Sequence, residues 1–166
     1  MPHKSRYSAD RERATKLLHF KQRWAQFQID RALKSTSQRE LIVEEFLRWG
    51  TSIHNFRRTA TVDTEVRGRQ IKAGDKVVVY YMSANYDEDV FDEPNKFNIL
   101  RNPNPHLGFG GNGTHHCIGA NLARMEIALM FDAIADVIPD IAKISDPTRV
   151  RSPWLNGLKT FEVDYR

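Results

Sequence analysis

The chain has 166 residues, 40% hydrophobic and 28% charged, a balance that reads as one soluble globular domain able to bury a real core. Its formal charge of +4 is uneven: residues 1–40 carry ten Lys/Arg against four Asp/Glu, and residues 41–166 carry fifteen against seventeen. The basic excess therefore belongs to the N-terminal quarter and argues against a nucleic-acid-binding body. No apolar run approaches the ~20 residues that span a bilayer, so no transmembrane segment is expected. Met1–Asp10 is polar with no signal-peptide core, and a single Cys rules out an intrachain disulfide and suits a reducing cytoplasm.

In chain order, Ser8–Lys34 reads as a basic amphipathic helix. Leu17, Phe20, Trp24 and Phe27 recur at three- and four-residue steps, with Arg13, Lys16, Arg23 and Gln26 between them. We set residues 1–37 apart as this N-terminal helix and residues 38–166 as the main unit. Gln38–Trp49 is a second helix with Leu41, Ile42, Phe46 and Trp49 on one face; Ser37 is placed to N-cap it, with Glu40 at the capping-box position. Within it, Glu45 and Arg48 stand one turn apart, able to pair and to clamp a neighbouring segment.

The period then changes. Phe56–Ala60, Thr64–Val66, Gln70–Ile71 and Lys76–Met82 are strand-like, with turns at Gly68 and Gly74, which predicts a small antiparallel sheet of hairpins. Ser83–Val90 reads as a short capped turn of helix. Phe91–Leu107, with Pro94, Pro103, Pro105 and several asparagines, is an irregular loop in which His106 is expected to hydrogen-bond locally. Gly108–Gly119 holds Cys117, the sole cysteine, behind glycines that suit positive φ and close approach. Ile118–Val137 is a strong helical pattern stopped by Pro139, so Cys117 falls at or beside its first turn, where free N–H groups favour a negatively charged sulfur. Leu158–Tyr165 reads as a terminal strand. One thiolate without a second Cys makes a poor zinc site and a sufficient axial ligand for haem iron. The plain alternative is a structural Cys in a Gly-rich turn.

Gly113, His115, Cys117 and Gly119 fit the Phe-x-x-Gly-x-(Arg/His)-x-Cys-x-Gly loop of cytochromes P450, with Phe109 one residue further from the Cys than usual. The variant resembles that of actinobacterial P450s acting on sterol side chains, as does Arg151–Lys159. Glu45-Phe46-Leu47-Arg48 matches the Glu-x-x-Arg of the family's K helix. The resemblance implies an α+β, mostly α fold: the C-terminal part of a P450, with K helix, small hairpin sheet, meander, Cys loop, L helix and terminal β-hairpin. It implies haem b, with Cys117 as axial ligand in a loop carrying Gly110, Gly113 and Gly119. His115 and Arg58, with Arg57 as fallback, would hold propionates. Glu45 and Arg48 would be structural, joined by Lys96 or Arg101 in place of the family's usual meander Arg. Trp154 and Leu155 would border the substrate pocket.

The activity implied is monooxygenation of a sterol or branched lipid, using O2 and electrons from a ferredoxin-type donor in the cytoplasm. Family members are more than twice this long, and nothing here matches their I helix, so a truncated form with no identifiable catalytic residues of its own is expected. The competing readings are a catalytically inactive haem-binding fragment and a non-haem helical interaction module.

Overall fold

The computed structural model describes residues 36–165; the amphipathic helix expected over Ser8–Lys34 lies outside them. The first element is helix α1 (Thr36–Gly50). It begins ahead of the expected start, so Ser37 falls within the helix. Its inner face carries Ile42 and Val43, both buried, and Phe46, half-buried. Trp49, expected on the same face, is 37% exposed at the end of the helix, with its ring against Tyr86 and Phe97. Thr51, at φ 35°, closes the helix with its N–H donating to the Leu47 carbonyl at 3.1 Å.

Four short strands follow: β1 (Asn55–Thr59), β2 (Thr64–Val66), β3 (Arg69–Ile71) and β4 (Lys76–Tyr80). β1 pairs antiparallel with β4, and β2 pairs with β3 as a hairpin carried between them. The β2–β3 turn has two residues, Arg67 and Gly68, both at positive φ, which is the primed geometry that matches strand twist. These are the hairpins the sequence predicts. β4 ends at Tyr80 because Tyr81 starts helix α2 (Tyr81–Asn85), so the short helix lies two residues before the expected Ser83.

After the irregular stretch to Gly119 comes α3 (Ala120–Val137), two residues later than its apolar pattern suggests. It lies against α1: Phe131 meets Phe46 with ring centroids 4.6 Å apart, and Arg39 pairs with Asp132 at 2.9 Å. The C-terminal part is β5 (Ala142–Lys143), β6 (Thr148–Arg149), β7 (Leu158–Thr160) and β8 (Val163–Asp164). β5 pairs with β8 and β6 with β7, so the single terminal strand expected over Leu158–Tyr165 is two pieces with different partners. The loop between β6 and β7 returns to the end of α1, where the Asn156 side-chain amide donates to the Gly50 carbonyl at 2.7 Å and Leu155 bridges Ile53.

The interior is unusual in chemistry. Among the described residues, the largest fully buried side chains are Arg48, Ile42, Glu45, Asn85 and Thr51, of which only Ile42 is apolar. No helix among the described residues is long and apolar enough to cross a membrane.

Candidate functional site

The irregular segment 91–119 has little secondary structure, so its shape must come from side chains that reach into it. Glu45 and Arg48 do most of this. Arg48 donates Nε and Nη2 to the two Glu45 carboxylate oxygens at 2.8 and 2.7 Å, a bidentate fork. Its Nη1 reaches the carbonyls of Asn85 and Pro94, both at 2.9 Å, and Nη2 also meets that of Lys96 at 3.3 Å. Glu45 further accepts from the Asn98 N–H at 2.8 Å, Asn104 Nδ2 at 3.0 Å and Arg101 Nε at 3.2 Å. Two ions withdrawn from water are tolerated only when every lone pair and proton is used in this way.

Of the two basic residues the sequence offers as third member, Arg101 is the one that reaches Glu45. Lys96 instead pairs with Glu93 at 2.9 Å on the surface and contributes only its carbonyl. Arg101 spends its remaining donors on the carbonyls of Asp92 at 2.7 Å and of Glu93 and Lys96, each at 3.3 Å. Asn85 carries no signal in the sequence, yet it joins this network to the Cys loop. Its Nδ2 donates to Thr51 Oγ1 at 2.9 Å, and its Oδ1 accepts from the Leu107 N–H at 2.7 Å. A second cluster of three, Glu44 with His106 and Arg124, grips the same loop from the neighbouring position on α1.

Among the loop glycines, only Gly110 has positive φ, at 86°. Gly108 is needed for closeness instead: a Cβ there would meet His106 Nδ1 at 3.1 Å and the Leu47 carbonyl at 3.3 Å. Gly113 has open space around it, and neither it nor Gly119 requires a left-handed backbone. Cys117 lies three residues ahead of α3, held by its N–H to the Phe109 carbonyl at 3.0 Å and by its own carbonyl accepting from Ala120 at 3.1 Å. Its side chain is exposed. A Cβ on Gly119 would stand 3.8 Å from the sulfur, so the glycine leaves that flank bare.

Beside the sulfur, Ile118 is fully exposed, and Leu122, Met125 and Leu129 form an uncovered stripe at helical spacing along α3. Among the described residues, no group of three His, Cys, Asp or Glu side chains gathers as for a metal ion. One accessible thiol beside a broad apolar surface suits a large, flat, apolar group ligated once by sulfur, which is the shape of haem.

Arg58 and His115 are both exposed. Arg58 stacks over Phe56, 5.6 Å from its centroid, on the face of β1 where Phe56 meets Tyr81 at 6.0 Å. The Tyr81 hydroxyl in turn lies near Gly110, 3.9 Å from where a Cβ would stand, so this face of β1 turns toward the Cys loop. Strand alternation directs Arg57 to the opposite face. Trp154 packs edge-on against Phe56 at 5.7 Å. Leu155 lines a cleft of about 590 Å³ with Trp49, Met82 and Tyr86, behind the α1 end.

Known proteins resemble this arrangement closely. A steroid C26-monooxygenase of Rhodococcus jostii is 59% identical over 123 residues, 74% of this chain and 26% of that protein. A methyl-branched lipid omega-hydroxylase of Mycobacterium bovis is 49% identical over 74% of this chain and 29% of its own length. A Mycobacterium marinum cytochrome P450, CYP268A2, solved in complex with pseudoionone, superposes with a TM-score of 0.75 at 41% identity, over 76% of this chain and 30% of that one. The chain thus spans less than a third of the length of each of these relatives. The cytochrome P450 family model matches residues 39–134, more than half of the sequence, and the chain belongs to the cytochrome P450 family.

Proposed function

We propose that these residues form the proximal, haem-binding part of a monooxygenase that hydroxylates a sterol or methyl-branched lipid with O2 and electrons from a ferredoxin-type donor in the cytoplasm. The family is haem-thiolate and its cofactor is haem b. When bound, haem ligated by a thiolate supplies the oxygen activation that attacks unactivated carbon.

Cys117 would be the sulfur ligand. Gly110, at positive φ, would turn the loop, Gly113 would offer bare backbone to the cofactor, and Gly119 would leave the sulfur flank open. Arg58 and His115 would meet the propionates as cationic and hydrogen-bonding donors. Ile118, Leu122 and Met125 would exclude water from the face of the macrocycle. Glu45, Arg48 and Arg101 would touch neither cofactor nor substrate and would hold the meander that presents Cys117. Trp154 and Leu155 are proposed to border the substrate pocket. The choice of a sterol or branched lipid draws on the relatives named as a steroid C26-monooxygenase and a methyl-branched lipid omega-hydroxylase.

The single observation that carries the reading is the exposed Cys117 sulfur beside the uncovered apolar stripe of α3. It is tested by adding hemin to the chain, reducing it and admitting carbon monoxide, with Cys117→Ala in parallel. We expect the red-shifted Soret band of a thiolate complex in the wild type and its loss in the variant. No such band, or the same band in both, would refute the assignment and favour a non-haem interaction module.

A further inference from the structure

Glu44 adjoins the Glu45 of the buried pair but takes a different set of partners. Its Oε2 lies 2.8 Å from His106 Nε2, and Arg124 of α3 donates Nε to its Oε1 at 2.6 Å and Nη2 to its Oε2 at 3.1 Å. The tautomer of His106 is fixed by its other nitrogen. The Gly108 N–H donates to Nδ1 at 3.0 Å, so Nδ1 is the acceptor and Nε2 carries the hydrogen given to Glu44. Arg124 also lies over the Phe109 ring, 4.8 Å from its centroid. Glu44 is thus tied to two successive loop residues, to Gly108 through the imidazole and to Phe109 through the guanidinium. The Phe109 carbonyl is the one that accepts the Cys117 N–H, at 3.0 Å.

We infer that Glu44 is a positioning residue for the Cys117 loop, acting through His106 on Gly108 and through Arg124 on Phe109, and so setting the carbonyl that holds the cysteine. The side chains are suited to the task. The His106 side chain is 2% exposed, so water competes little for its hydrogen bonds. A Cβ on Gly108 would crowd that imidazole at 3.1 Å, so the bare glycine lets the backbone sit close against the ring. Burial pushes the Glu44 carboxyl up, but hydrogen bonds from His106 and Arg124 and the nearby charges outweigh it and lower the group to about 2. The acceptor is therefore a full carboxylate at neutral pH. The role toward haem rests on Cys117 being the iron ligand; the loop geometry itself does not.

Amide hydrogen exchange on the full chain, without haem, separates the two questions. In Glu44→Leu, the Gly108 and Cys117 amides should exchange about tenfold faster, the scale of one hydrogen bond lost. Glu44→Gln, which keeps one acceptor oxygen, should recover most of that protection. The Asn98 amide, bonded to Glu45 and not to Glu44, reports general loosening and should not change. Asp132→Asn removes a different α1–α3 ion pair and should leave Gly108 and Cys117 as in the wild type. Unchanged Gly108 and Cys117 amides, or an equal rise at Asn98, would overturn the inference. Nitrogen NMR of the wild-type imidazole gives a check needing no variant: an Nδ1–H tautomer at His106 would also overturn it. Hemin titration of the same proteins tests the Cys117 assignment independently.

Discussion

Arg48→Lys keeps a positive charge at the centre of the buried network but replaces three nitrogens with one. The guanidinium makes five hydrogen bonds, two to Glu45 and one each to the carbonyls of Asn85, Pro94 and Lys96. An ammonium donates at most three and does so from a single point, whereas Glu45 and the carbonyls lie on different edges of the fork. At least two buried acceptors therefore lose a partner, at about 1–2 kcal/mol each, giving about 2–4 kcal/mol. Arg48→Ala removes the charge as well and should cost about 3–5 kcal/mol, the range for breaking a buried pair. Glu45 would then keep only Arg101, Asn98 and Asn104. Against a typical stability of about 5–15 kcal/mol, either loss is large. Urea unfolding of the two variants and the wild type, followed by far-UV circular dichroism, measures it directly. If Arg48→Lys falls within about 0.5 kcal/mol of wild type, the fork geometry is not what holds the meander, and the argument fails.

Two further outcomes follow from the same contacts. Arg101→Ala should destabilise by about 2–4 kcal/mol because it strips a buried carboxylate of a donor and frees three carbonyls. Lys96→Ala should stay within about 0.5 kcal/mol, since only an exposed pair is lost; equal effects in urea unfolding would reassign the third member. Glu44 gives a pH dependence. Its folded-state value of about 2 lies below the ordinary 4.5, so its contribution is complete above about 4.5 and is lost as pH falls toward 2. Allowing for partial exposure, it amounts to about 2–3 kcal/mol. Urea midpoints at several acid pH values should fall more steeply in the wild type than in Glu44→Gln, and parallel curves would contradict the assignment.

The sequence carried the elements with strong periodicity or strong chemistry. The Glu45/Arg48 spacing, the hairpin turn at Gly68 and the glycine-rich approach to Cys117 all stand where the pattern puts them. The errors lie where local rules compete with distant packing. Ser37 has the capping residue type, but α1 starts ahead of it. Ile118 continues the apolar period of α3, yet it faces solvent together with Leu122, Met125 and Leu129, so this apolar stripe is uncovered surface and not core. Asn85 carries no local signal, and His106 reads from the sequence only as a loop hydrogen-bonding residue, a role its bond from the Gly108 N–H fills in part. Their partners, Arg48, Thr51 and Glu44, lie 34 to 62 residues away, and such pairs become visible only once the chain is folded. Lys96 occupies the place nearest the usual meander position, but Arg101 is the residue whose fork reaches the carboxylate.

Arg48 and Arg101 grip the meander almost wholly by main-chain carbonyls, those of Asn85, Asp92, Glu93, Pro94 and Lys96. Every amino acid supplies that same oxygen. At Asp92, Glu93, Pro94 and Lys96 the clamp is therefore blind to residue type and responds only to the path of the backbone. Surface side chains there are free to drift, to adapt to new neighbours or to accept labels at Asp92, Glu93 and Lys96, while the backbone beneath keeps one shape.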